Sequence, residues 1–296
     1  MMKPAFSTVA CPEWTLAQVA ERAQSLGFEA VELRTFGDQS AMFACDPALT
    51  SGEKVRRIVG ERGVEILSLA TSTGFEEPVR PPVIGYAISD TERTVRAAQR
   101  AIDLAVAIEC PYVRVFGFDV PAREGRASAM GRMVKRLTMV ADHAHNMGIR
   151  IVIENGGAFG RATEVMQLVE ACQSPLIGVC YNLATGFAAG DSPQEAIQTI
   201  GDRLWVGRIK DLKDRRPCEL GMGDVPCEVF VRALMAREFE GPLVYEWDRA
   251  WIPELAPAEQ VLGGAAAKIW SWLGSKTGAQ SAAKAMPMPT VTGRRK

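Results

Sequence analysis

Two carboxylates stand out by their position. Glu154 follows at once on Ile149–Ile153, a run that is β-branched apart from Arg150, and the chain then breaks at Gly156 and Gly157. Glu246 ends a second apolar run, in GPLVYEWD at 241–248. Such runs suit strands buried on both faces. A group able to give or take a proton, set just past a parallel strand, lies at the end where α/β enzymes build their sites. A single Glu after a strand is also a common loop or cap residue. Two at equivalent strand ends are the strongest functional signal in this chain.

The elements that must position them alternate from end to end. Strand-like runs fall at 5–10, 29–34, 64–71, 112–117, 149–154, 175–182, 203–211 and 241–247. Between them lie helical periodicities at 14–27, 53–62, a long segment from a capping box at Ser89-x-x-Glu92, 125–147, 164–172, 193–200, 227–237 and 261–274. Eight strand–helix pairs in this length predict a single (β/α)8 TIM barrel over residues 1–274, with a doubly wound open sheet as the competing arrangement. Residues 275–296 are small, polar and aperiodic, and are expected to be a disordered tail.

Composition narrows the function classes. Lys plus Arg number 34 against 35 Asp plus Glu, which removes any bulk electrostatic case for nucleic acid or an anionic membrane. No apolar run reaches the roughly 20 residues of a membrane span. The seven cysteines are scattered without a CxxC pair, as in a reduced cytoplasmic protein. His143 and His145 fall on the helix before strand five, so no Ser-His-Asp or Cys-His arrangement is supported. The Gly-Met-Gly-Asp stretch at 221–224 lacks the context of a dinucleotide fingerprint and is assigned a loop.

FSTVACPEWTLAQVAERAQSLGFEAVELR at the start, YVRVFG and RIVIEN in the centre, and VYEWDRAWIPEL near the end together resemble the xylose isomerase-like TIM barrels. More narrowly, they are similar to the sugar phosphate isomerase/epimerase proteins. The resemblance implies metal ligands Glu, Asp, His and Glu from strands five to eight, with the two Glu residues moving a proton on and off carbon. Carried onto this chain, the Glu positions are Glu154 and Glu246, but the Asp position holds Asn182 and the His position Arg208. Asn182 offers a cation only a neutral oxygen, and Arg208 has only donors.

The resemblance therefore implies an isomerase or epimerase acting on a small keto-sugar or polyol, with Glu154 and Glu246 as the acid/base pair. No cofactor is expected; Glu154 and Glu246 would be the ligands of any weakly held Mn, Mg, Co or Zn. Arg208 is expected to polarise the substrate carbonyl, with Asn182, Lys210, Arg114, Glu32 and Trp247 as further substrate contacts. Glu32 and Arg34 share a face of strand two and could instead pair with each other, and Trp247 and Trp251 could stack on a sugar or pack the wall. Elimination on the same scaffold, an inert carbohydrate-binding barrel in which Arg208 merely neutralises buried carboxylates, and assembly of identical chains all stay open. The run Lys210 to Arg216 otherwise reads as a solvated loop.

Overall fold

The computed structural model describes residues 2–35, 51–77, 91–117 and 119–274. The strands are β1 (Lys3–Ser7), β2 (Ala30–Arg34), β3 (Glu65–Gly74), β4 (Tyr112–Phe116), β5 (Arg150–Glu154), β6 (Ile177–Asn182), β7 (Leu204–Ile209), a short pair β8 (Asp211–Lys213) and β9 (Arg216–Cys218), and β10 (Pro242–Tyr245). Eight of them close a parallel barrel in the order β1-β10-β7-β6-β5-β4-β3-β2. The barrel expectation is met, and the open sheet is ruled out by the pairing of β1 with both β10 and β2. The proposed tail at 275–296 and the Ser89 cap lie outside the described residues. No helix among the described residues is long and apolar enough to cross a membrane.

The helices begin and end where local chemistry dictates. Leu16–Leu26 opens on Thr15, whose hydroxyl accepts from Gln18 N while Gln18 caps in return, and closes on Gly27 at φ 80°. The core between helices and strands is aliphatic, but the barrel interior is built in tiers. A small apolar tier holds Ala5, Ala30, Leu67, Val152, Cys180, Val206 and Val244. Because inward-facing positions recur every second residue, the next tier is Ser7, Glu32, Arg114, Glu154, Asn182, Arg208 and Glu246. A charged layer therefore rests directly on the apolar one.

The segment after β7 departs from the solvated-loop expectation. Within the run Lys210 to Arg216 only Lys213 to Arg216 are exposed. Asp211 is 1% exposed, and its carboxylate accepts from the backbone N–H groups of Leu212 (2.9 Å), Gly221 (2.8 Å), Gly223 (2.9 Å) and Val225 (3.2 Å). A Cβ on Gly223 would lie 2.2 Å from Asp211 Oδ1, so the glycine is what permits this approach. Asp211→Ala would remove the acceptor of four backbone N–H groups, of which the buried one on Val225 alone costs about 1–3 kcal/mol when left unpaired. The urea midpoint should fall accordingly and the 211–225 loop should become protease-sensitive; an unchanged midpoint would remove this organising role.

Candidate active site

The tiers bring the sequence-selected residues to one end of the barrel. Glu154, the last residue of β5, is 5% exposed. Its Oε2 accepts from Arg114 Nη1 at 2.6 Å and its Oε1 from Asn182 Nδ2 at 2.8 Å. Arg114, on β4, also donates to Thr71 O at 3.2 Å. Glu246 follows β10 and continues its ladder, with its N–H on Ile209 O at 2.9 Å. Glu246 Oε2 accepts from Arg208 Nη1, and Oε1 accepts from Lys210 Nζ at 2.8 Å. Lys210 Nζ is further held by both oxygens of Asp248, at 3.0 and 2.9 Å.

Arg208 lies at the centre, 1% exposed. Its Nη2 donates to both oxygens of Glu32, at 2.6 and 2.5 Å, and its Nε lies 3.5 Å from Glu154 Oε2. One guanidinium thus ties β2, β5, β7 and the end of β10 together. Asn182 has two tasks: its Oδ1 accepts from Thr185 N at 3.3 Å, starting the helix Leu183–Ala188, while its amide nitrogen donates to Glu154. An aspartate there could cap the helix but would set a second carboxylate against Glu154.

Above this layer is a cavity of about 530 Å³. Glu154, Asn182, Arg114 and Glu246 reach it, as do Lys210, Asp248, Arg34 and Trp251. Arg208, Glu32 and Trp247 are not among its lining residues. Arg208 and Glu32 form a buried pair below its floor, and the Trp247 indole is turned to Ala256 O at 2.9 Å. These three residues therefore stand outside the cavity lining, while Arg114 and Lys210 are part of it. The pairing considered for Glu32 with Arg34 is replaced by Glu32 with Arg208, while Arg34 donates to Ala70 O and Ser72 Oγ, each at 3.0 Å. His143 bonds Asp103 at 2.8 Å and His145 is exposed, both away from the cavity.

Asp248, which sequence reasoning left without a site role, and Arg34, which it weighed only as a partner of Glu32 at the strand end, had a signal. Two residues beyond Ser7, Glu32, Arg114, Glu154, Arg208 and Glu246 stand Val9, Arg34, Phe116, Gly156, Lys210 and Asp248, and all six line the cavity. The period-two count, carried one step past the strand ends, finds the wall.

Electrostatics divide these groups. Burial raises the Glu154 carboxyl, but the Arg208 and Arg114 guanidinium groups overcome it and hold Glu154 below the usual carboxylate range. Burial is likewise overcome at Glu246, where Lys210 and Arg208 drive the carboxyl far down. Asp248 goes the other way, pushed up by burial and by the charge of Glu246. Burial opposes the charge on Lys210, yet Glu246 and Asp248 raise it, so the ammonium persists.

A divalent ion does not fit this donor set. The Arg208 guanidinium stands between Glu154 and Glu246, and the carboxylate oxygens are taken by Arg, Lys and Asn donors. Among the described residues no group of three or more His, Cys, Asp or Glu is disposed to hold a metal ion. Glu32, Glu154, Glu246 and Asp248 already pair with Arg114, Arg208 and Lys210, so a divalent ion would have to displace these cations.

The sequence model for the xylose isomerase-like TIM barrels matches residues 20–268. The chain belongs to that family. A structure of L-ribulose 3-epimerase superposes with TM-score 0.74 at 14% identity, covering 100% of both chains. The IolI protein with a bound zinc atom superposes at 0.71 and 16% identity, over 97% of this chain and 100% of its own. A probable 3-DHS dehydratase, AsbF from Bacillus anthracis, superposes at 0.68 and 14% identity, over 83% and 93%. At these identities the likeness is one of fold. No curated protein sequence matches.

Proposed function

We propose that the protein is an enzyme of the isomerase or epimerase type. It moves a proton at a carbon beside a carbonyl of a small hydroxylated compound, and protein cations take the place of a metal ion. The observation that carries this reading is the shared cavity: Glu154 and Glu246 enter it from β5 and β10 with Arg114 and Lys210 beside them. Both carboxylates are ionised, the form that a general base must have. Arg114 and Lys210 are donors positioned to stabilise negative charge developing on the carbonyl oxygen. Arg208 acts from beneath, fixing the direction of both carboxylates. Epimerase and dehydratase structures of the same fold support this class. The six cysteines among the described residues are free, which fits a reducing cytoplasm.

Elimination is a second reading, favoured by Asp248. It is a third carboxyl in the cavity beside Glu154 and Glu246, raised by burial and by the charge of Glu246 and bridged to Glu246 through Lys210.

The test is incubation with a panel of ketoses and keto-acids in deuterated water, before and after exhaustive chelation. Deuterium should enter carbon next to the carbonyl at rates unchanged within about twofold by chelation or added Mn²⁺. Binding without any exchange would return the protein to an inert carbohydrate-binding barrel. Stoichiometric metal uptake with exchange that depends on it would defeat the role given to the protein cations.

A further inference from the structure

The proton-transfer reading uses the charged end of the cavity and gives no task to its apolar side. Val9, in the turn after β1, and Trp251 and Ile252, in the turn after β10, line the cavity together, and the two turns pack on each other. Of the large apolar side chains exposed among the described residues, Trp251 (51%) and Ile252 (37%) are the two that line it. The turn that carries them is tied down at several points. The backbone N–H groups of Trp251 and Ile252 both donate to Asp248 O at 2.9 Å. Arg249 donates to Glu13 Oε1 at 2.8 Å, to Pro253 O at 2.9 Å and to Leu255 O. The Arg34 guanidinium stands over the Trp251 ring, 5.5 Å from its centroid. Two large apolar groups are thus fixed at the cavity mouth in advance of any ligand, which lowers the ordering cost of binding.

We propose that Val9, Trp251 and Ile252 form a shelf for an aromatic ring, so that the substrate of this cavity is a sugar-like compound joined to an aromatic aglycone rather than a free monosaccharide. The inference rests on the cavity being the substrate site. Size supports it: a single hexose fills roughly 200 Å³, the space of about seven waters in the liquid. The cavity holds about 530 Å³. The division of the lining supports it too. Glu154, Asn182, Arg114, Glu246, Lys210 and Asp248 supply hydrogen-bonding groups for one sugar. The shelf offers none beyond the indole N–H, so the hydroxyls of a second sugar would find no partners on it. An aromatic ring there removes apolar surface of both partners from water and gains an offset or edge contact with the indole. A conjugated anomeric carbon carries no carbonyl, so the reacting carbonyl of such a substrate is a ketone elsewhere on the sugar part.

Calorimetric titration with the phenyl and methyl β-D-glycosides of glucose, galactose and xylose tests this, because each pair differs only in the aglycone. These compounds carry no ketone and report recognition without turnover. In the best-bound pair the phenyl compound should bind at least about tenfold more tightly than the methyl one. Trp251→Ala should reduce that preference to about twofold, and Ile252→Ser should weaken phenyl binding by about threefold. Trp251 is half exposed, so its removal leaves no void in the core. Equal affinities within every pair, a phenyl preference that survives Trp251→Ala, or no binding of any of these glycosides overturns the proposal. Deuterium exchange separates this from the reaction itself: exchange into free ketoses without a phenyl preference leaves proton transfer intact and removes the shelf. A phenyl preference abolished by Trp251→Ala, with no exchange into any ketose or keto-acid, keeps the shelf and removes the proton-transfer reading.

Discussion

Arg208→Ala is expected to leave little folded protein. The side chain is 1% exposed and is the shared cation of Glu32, Glu246 and, more distantly, Glu154. Removing one partner from a buried ionic set costs about 3–5 kcal/mol, because the other partner stays buried with its charge. Here three carboxylates would be affected, and the loss should lie at or above the top of that range. Arg208→Lys should recover part of it, since one ammonium can keep the charge but cannot reach Glu32 and Glu246 with the same fork. Urea unfolding monitored by circular dichroism reads both variants; a wild-type midpoint for Arg208→Ala would discard the buried-cation role.

The same network predicts a direction with pH. Glu154 and Glu246 have folded pKa values below their unfolded ones. Their contribution is therefore complete above the unfolded carboxylate range, near about pH 4.3, and is lost as pH falls below it toward the folded values. Asp248, shifted upward, has the opposite sign and favours the fold at low pH. Two strongly held carboxylates outweigh one, so wild-type stability should start to fall below about pH 4.3 and keep falling as the pH is lowered toward the folded values.

The second large effect is on turnover. Glu154→Gln and Glu246→Gln should each lower the rate by about 10²–10⁴-fold with a much smaller change in KM, since the amide keeps shape but cannot serve as base. Stability should suffer less than in Arg208→Ala. Arg208 retains Glu32 in either variant, and Lys210 retains Asp248 when Glu246 is altered. Near-normal exchange in either variant would sink the paired-carboxylate reaction. Loss of exchange together with loss of the fold would show the carboxylates to be structural.

How much of this could be read from residue order depends on the range of the interaction involved. The barrel was legible because each β-branched run and each helical stripe is a local pattern, and eight of them leave few arrangements. Glu154 and Glu246 were legible for the same reason, as charges ending apolar runs. What Arg208 contacts was not legible: its partner Glu32 is 176 residues away in the chain. Period two gave Glu32 and Arg34 one face of β2, yet the sequence does not say that successive inward positions lie at different depths, one under the cavity floor and one on its wall. Asp211 was hidden in a run of charges, where only the backbone donors that surround it distinguish a buried carboxylate from a solvated one. The pair β8 and β9 and the helix Leu183–Ala188 are too short to carry a period.

The bond from Arg208 to Glu32 has a consequence for how the chain comes together. β2 belongs to the first quarter of the barrel and β7 to the last, so the ionic layer is incomplete in either half alone. A nascent amino-terminal half presents Glu32 and Arg114 to water, and a carboxy-terminal half presents Arg208 with Glu154, Glu246 and Lys210. Charges that stay hydrated until the ring closes must shed water in the closing step itself. That places the desolvation cost late, and favours an all-or-none closure over a stable half-barrel. The layer that shapes the cavity thus also acts as a latch on assembly, set only when strands from both ends of the chain arrive.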